Sequence, residues 1–227
     1  MPRRARIALP GVPLHLIQRG NNRQACFFAE DDCNFYLDWL AEHAPRCGCR
    51  LHAWVLMTNH VHLLLTPEAE DSAGRLMKAL GQRYVQYVNR TYRRSGSLWE
   101  GRFRSCIVGE EAYVLACQRY IELNPVRAAM VDDPAHYRWS SYRANGLGQT
   151  DPLLTPHPVY AALGGAEPQR LVAYRALFRP ELDDAAISDI RMAPMNGMEL
   201  LRLAHKLCPA MAVIMVTAFS SVETAVE

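Results

Sequence analysis

No apolar run in this 227-residue chain approaches the roughly 20 residues that a helix needs to cross a bilayer, which excludes a helical membrane protein. Met1–Arg6 is basic, yet neither an apolar stretch nor a small-residue cleavage site follows it, so a secretion signal is not expected. Cysteines are seven, an odd number without repeated spacing, and Cys47-Gly48-Cys49 lacks the two-residue gap and matching second pair of a zinc knuckle. That excludes a disulfide framework and leaves the expectation of reduced thiols in a cytoplasmic protein. Internal repeats and low-complexity tracts are missing. Lysine is nearly so: among 25 lysines and arginines only Lys78 and Lys206 are lysine. Arginine's planar fork suits phosphate, although the base composition of a genome produces the same bias.

What is there is an ordinary globular composition, 50% hydrophobic and 21% charged, long enough for one or two domains with a sizeable core. The net charge of +2 hides a local excess. Between residues 75 and 104, Arg75, Lys78, Arg83, Arg90, Arg93, Arg94, Arg102 and Arg104 face a single acid, Glu100. Such a concentration is the footprint of a polyanion partner, or else a solvated helix face.

Hydrophobic periodicity gives a coarse order of elements. Residues 12–18 read as a strand, followed by a turn-rich Arg19-Gly20-Asn21-Asn22-Arg23; a helix is expected over 31–43. Residues 50–57 and 60–66 form a hairpin about Thr58-Asn59. A long amphipathic helix is expected over 72–94, a short strand over 105–108, and a helix from Glu110 stopped by Pro125. The order β-α-β-β-α-β-α implies an α+β fold, a ferredoxin-like antiparallel sheet with helices on one face and the other face open for a ligand. Residues 1–131 form this core, and 132–191 a more irregular, largely helical extension.

The chemistry concentrates at two places. In His60-Val61-His62 strand alternation puts two imidazoles on one face while Val61, Leu63 and Leu65 turn to the core. Neutral imidazole is the commonest side-chain metal ligand; a polar strand face carrying two histidines is an equally fair reading of the triplet alone. In Arg119-Tyr120-Ile121-Glu122-Leu123-Asn124-Pro125-Val126-Arg127, Tyr120 and Asn124 are four apart and share a helix face. A phenolic oxygen can attack a phosphodiester if activated, and Asn124 would add a neutral oxygen to a metal's ligand set. An isolated helix tyrosine is more often a packed aromatic. His15 and His52 read as satisfied sheet residues, and Glu122 lies off the face that Tyr120 and Asn124 share.

Together these segments resemble a family. Asn59-His60-Val61-His62-Leu63-Leu64, Ser97-Leu98-Trp99-Glu100-Gly101-Arg102-Phe103 and the run from Arg119 to Arg127 are similar to single-tyrosine HUH transposases, in particular the REP-associated tyrosine transposase branch. Gln18–Arg23 and Trp139-Ser140-Ser141-Tyr142 are also similar to that branch, and the resemblance runs from about residue 10 to about residue 191. It implies that His60 and His62, with Asn124, hold Mg²⁺ or Mn²⁺ against a phosphate of single-stranded DNA. Tyr120 would then attack to form a 5′-phosphotyrosine and release a 3′-hydroxyl, on substrates that are short REP-like hairpins. Asn21, Asn22, Arg23, Arg83, Trp99, Arg102, Arg104 and Arg127 are the candidate DNA contacts, with Trp99 expected to stack on unpaired bases. A monomer and a homodimer suit the motifs equally, as do cis and trans use of Tyr120. Alternatives are a hairpin-binding protein without turnover, and an unrelated metal hydrolase on the histidine pair.

The last segment departs from that pattern. Residues 189–201 and 212–219 resemble the phosphoacceptor segment and following strand of a response-regulator receiver, in which Asp189 would take phosphate and Thr217 would be the switch residue. The strands that should precede it, with their acidic pair, are not found before Asp189. A partial receiver-like fragment over 192–227 is expected, with a helix over 198–207 and a strand over 212–216. A phosphotransfer signalling fragment is the remaining alternative.

Overall fold

The computed structural model describes residues 8–109 and 111–178. The expectations for residues 179–227, including Asp189, Thr217 and the receiver-like elements, lie outside the described residues. Seven principal elements follow in order: β1 (Leu14–Arg19), α1 (Glu30–Arg46), β2 (Cys49–Met57), β3 (His60–Pro67), α2 (Ser72–Thr91), β4 (Arg104–Ile107) and α3 (Glu111–Glu122). The sheet runs β2-β3-β1-β4 with every pair antiparallel, the ferredoxin-like arrangement.

Local chemistry explains the boundaries. Helix α1 opens on Glu30, Asp31 and Asp32, whose charges suit the positive end of the helix dipole. Asp32 Oδ2 accepts from the Phe28 and Ala29 backbone N–H groups at 2.7 and 3.0 Å, which ties down the entry. The helix continues through Pro45, beyond its expected end, and Gly48 at φ +66° reverses the chain into β2. Pro125 acts as expected on α3 but also starts a further turn, α4 (Asn124–Arg127), in whose first turn its missing N–H costs nothing.

Strand alternation divides the sheet into two faces. Leu14, Leu16, Leu56, Val61, Leu63 and Leu65 pack with Tyr36 and Leu40 of α1 and with Leu76, Leu80, Tyr84 and Val88 of α2. Each such side chain contributes roughly 1.5–3 kcal/mol on burial. The other face is not bare, and this corrects the expectation of a sheet open on that side. Ala53, Val55, Met57 and Leu64 lie in a second cluster with Val114, Cys117 and Ile121 of α3. The physical reason is that α3 has an apolar stripe of its own to bury. Its cover leaves His60, Tyr120 and Asn124 partly exposed.

Residues 132–178 add α5 (Tyr142–Asn145), α6 (Pro158–Ala161) and α7 (Glu167–Ala176). Trp139–Ser141 runs along the outer edge of β2. The Leu56 N–H donates to Trp139 O at 2.9 Å, the Ser141 N–H to Trp54 O at 3.0 Å, and Ser141 Oγ accepts from the Trp54 N–H at 3.0 Å. An edge strand that would otherwise offer unpaired N–H and C=O groups is thereby covered. Buried Glu122 fastens the extension to α3, accepting from Ser141 Oγ, Asn145 Nδ2 and the Tyr174 hydroxyl at 2.6–2.8 Å. Among the described residues no helix is long and apolar enough to cross a membrane.

Candidate active site

β3 presents His60 and His62 on the face away from α1 and α2, with ring centroids 4.9 Å apart. Across the ladder Arg19 lies opposite His60 and Ile17 opposite His62. His15, two residues earlier on β1, is on the same face, and its Nε2 is 2.8 Å from His62 Nδ1. From the other side α3 brings in Tyr120, whose ring centroid is 5.9 Å from those of both His62 and His15. A single chain therefore brings its own tyrosine to its own histidines.

Asn124 completes the group. Tyr120 and Asn124 straddle the junction of α3 and α4, yet the spacing of four still stacks them, and Asn124 Nδ2 donates to Tyr120 O at 3.0 Å. With the amide nitrogen engaged there, the carbonyl end is left on the side of His60. Burial holds the His60 imidazole below its ordinary pKa, with a further push from the Arg19 guanidinium, although the Asn124 bond opposes both. His62 is held well below by burial, then by His15 and His60. Both rings are therefore neutral at pH 7, the form that offers a lone pair to a cation.

The donor set fits a divalent ion. Among the described residues no three His, Cys, Asp or Glu side chains form a metal-binding group, but an amide oxygen is not one of those types. His60 Nδ1 is 2.6 Å from Asn59 Oδ1 and His62 Nδ1 faces His15, so each Nδ1 is engaged and each Nε2 is left for an ion. Two neutral imidazole nitrogens and the Asn124 oxygen would give a divalent ion three donors and leave its other positions to water and phosphate oxygens.

The candidate DNA contacts divide. Asn21, Asn22 and Arg23 are exposed in a single 3₁₀ turn beside the histidines, with Asn22 and Arg23 both left-handed at φ 50° and 58°. Arg127 places its guanidinium 5.2 Å from the Tyr120 ring centroid. Arg104, exposed on β4, pairs with Ile17 and so shares the histidine face; Arg102 is exposed on the preceding loop. Arg83 is not brought to the site. It sits on α2, across the sheet, with its guanidinium 4.0 Å from the Trp39 ring centroid. Trp99 is a correction. Its ring is 5% exposed and packs 5.8 Å from Tyr84 in the helix-side core, so no face is offered to a base. The Ser97–Phe103 loop is folded back by the Gly20–Trp99 bridge and the Asn21 N–H to Leu98 O bond of 2.8 Å, which explains the burial.

Three residues at this site were not assigned to it from the sequence: Arg19, His15, which was read as a satisfied sheet residue, and Asn59. The first two follow from alternation along β1, since residues 15, 17 and 19 share a face. Asn59 carries no periodic signal, because its place in the hairpin turn depends on which loop lies beside it.

Comparison with known proteins gives a family and a likeness of fold. Residues 9–124, just over half of the chain, match the family of IS200-like transposases. A REP-associated tyrosine transposase solved with a REP hairpin superposes with a TM-score of 0.55 at 16% identity, over 69% of this chain and 93% of that one, a likeness of fold. A candidate transposase from Deinococcus radiodurans is 26% identical over 53% of this chain and 96% of its own, with a TM-score of 0.38. Separately, 52 residues are 46% identical to the transcriptional regulatory protein ZraR of Salmonella typhimurium. The chain spans only 12% of the length of that curated relative.

Proposed function

We propose, on the premise that this chain belongs to the IS200-like transposase family, that it cuts and rejoins single-stranded DNA at short hairpins through a covalent link to Tyr120. The observation that carries this reading is the placing of the Tyr120 ring beside His62, with Asn124 bonded to Tyr120 O and its carbonyl end on the side of His60. The hairpin as substrate rests on the REP hairpin held by the structural relative.

A divalent ion, Mg²⁺ or Mn²⁺, held by His60, His62 and Asn124 would supply Lewis acidity toward the phosphate and favour the ionised nucleophile. The chain's own residues do the rest. Tyr120 Oη bonds to the phosphorus, the bond from phosphorus to the 3′-oxygen breaks, and the DNA 5′-phosphate stays on the tyrosine. The phenol gives up one proton and the leaving 3′-oxygen takes one up, so no nucleotide is consumed. Another 3′-hydroxyl reverses the step, which makes cutting and joining one chemistry. Arg127 and Arg19 flank the reacting groups and are suited to hold non-bridging oxygens. Asn21–Arg23, Arg102 and Arg104 supply contacts to the strand, and Arg83 lies too far round the molecule to join them. Because Tyr120 and the histidines belong to one chain, a monomer is sufficient for the chemistry.

The test uses labelled hairpin oligonucleotides from the flanks of the gene, with Mn²⁺ or Mg²⁺, followed by denaturing gels and peptide mass spectrometry. A DNA adduct on Tyr120 that vanishes with chelator and in Tyr120→Phe is the expected result. Tight hairpin binding with no adduct under any metal would instead identify a protein that only binds. Cleavage surviving in Tyr120→Phe would assign the histidines to a hydrolase.

A further inference from the structure

The Asn59 side chain touches both halves of the site. Its Oδ1 is 2.6 Å from His60 Nδ1, and its Nδ2 donates to Arg23 O at 3.0 Å. Its own carbonyl accepts from the Gly20 N–H at 2.8 Å, and the carbonyl of neighbouring Thr58 accepts from the Cys26 and Phe27 N–H groups. The tip of the β2–β3 hairpin is thus fastened along the whole 20–27 loop. Gly20 has no room for a side chain, since a Cβ there would lie 2.1 Å from Gln24 O and 3.3 Å from Asn59 O.

The loop so held is strained. Asn22 and Arg23 are consecutive non-glycine residues at positive φ, a conformation that costs on the order of 1 kcal/mol or more per residue and persists where surrounding contacts impose it. Among those contacts is the bond from Asn59 to Arg23 O. The other end of the same amide decides the chemistry of His60. A carbonyl oxygen can only accept, so the 2.6 Å contact calls for the imidazole proton on Nδ1, which leaves the Nε2 lone pair for a cation.

We propose that Asn59 is a positioning residue that couples the two: it fixes the tautomer and orientation of His60 and holds the Asn21–Arg23 turn in shape for DNA. Loading one side then favours the other, so divalent cation and hairpin bind with positive linkage. This rests on His60 as a metal ligand and on the turn as a DNA contact.

The experiment measures Mn²⁺ binding by electron paramagnetic resonance on the full chain, with and without a hairpin oligonucleotide, together with hairpin affinity by fluorescence anisotropy. Asn59→Ala should weaken Mn²⁺ binding by about 10–100-fold, the usual effect of losing an orienting partner, and bring the linkage between Mn²⁺ and hairpin near one. Asn59→Asp keeps an acceptor for His60 but sets a carboxylate against Arg23 O, so it should retain Mn²⁺ while losing hairpin affinity and linkage. Nitrogen-15 spectra of the imidazoles in the wild-type chain give a readout that needs no variant to fold, with His60 expected as the Nδ1–H tautomer. Wild-type Mn²⁺ affinity with unchanged linkage in Asn59→Ala, or an Nε2–H tautomer at His60, overturns the coupling and leaves the metal site standing. Failure of the wild-type chain to bind Mn²⁺ at all removes the metal reading, and the coupling with it.

Discussion

His15 Nε2 and His62 Nδ1 face each other at 2.8 Å across β1 and β3, in a stack with ring centroids 5.0 Å apart. If His62 offers Nε2 to a cation, its Nδ1 carries the proton and His15 Nε2 must accept it, which puts the His15 proton on Nδ1. His15 would then orient His62 much as a carboxylate or carbonyl orients other metal-bound histidines. His15→Ala should weaken Mn²⁺ binding by about 10–100-fold, and His15→Gln, whose Oε1 can accept the same proton, should recover much of it. Mn²⁺ titrations of the three proteins decide the point; equal affinities would return His15 to a filler of the sheet.

Asn124 tests the value of a neutral oxygen. In Asn124→Asp the added carboxylate attracts the cation more strongly but cancels part of the charge left to polarise phosphate. Mn²⁺ should bind more tightly and the Tyr120 adduct should form more slowly, by tenfold or more as an order of magnitude. Adduct kinetics at saturating Mn²⁺ separate the two effects. A faster reaction would mean that Asn124 acts through Tyr120 O rather than through the ion.

The order of elements, the two sheet faces at β3 and the pairings of His60 with His62 and of Tyr120 with Asn124 could be read along the chain, because each depends on a local period: two in the strand, about four in the helix; that the two pairs meet was implied only by the family resemblance. What was not legible is set by tertiary packing. Nothing in the spacing of Val114, Cys117 and Ile121 says that their stripe lands on Ala53, Val55 and Leu64 and closes part of the second face. Arg83 and Arg104 belong to one basic stretch in sequence and to opposite sides of the sheet in space. Glu122 lies off the face that Tyr120 and Asn124 share, but its role of joining α3 to residues 141, 145 and 174 required the fold.

Trp99 shows the difference most sharply, since an aromatic beside arginines suggests base stacking whereas the ring is inside. Trp99→Ala should act on stability rather than selectively on DNA binding, at about 3–5 kcal/mol for a large buried aromatic. Its Nε1 has no hydrogen-bond partner, so Trp99→Phe should cost much less. Urea unfolding of both variants, with hairpin affinity measured on the folded fraction, distinguishes the roles. Near-wild-type stability of Trp99→Ala with lost hairpin binding would reinstate stacking.

Glu122 carries the clearest dependence on pH. It is fully buried, and burial pushes its carboxyl up to about 7 although the bonds from Ser141, Asn145 and Tyr174 pull the other way. In the unfolded chain the same group ionises near 4.5. Between those values the unfolded chain releases a proton that the folded chain keeps. The stabilisation from this group is therefore complete below pH 4.5, declines as pH rises and is gone once pH passes 7. Its full size is on the order of 3 kcal/mol, from a carboxyl moved from 4.5 to about 7. In Glu122→Gln the amide oxygen can still accept from Ser141 and Asn145 while its nitrogen donates to the Tyr174 oxygen, so the network survives without a titrating group. The wild-type chain should lose stability relative to Glu122→Gln between pH 4.5 and 7 and hold a constant deficit above that. Chemical denaturation at pH 5, 6, 7 and 8 measures the difference directly. A gap that does not change with pH would mean that Glu122 stays ionised in the folded chain, its charge matched by the three donors around it.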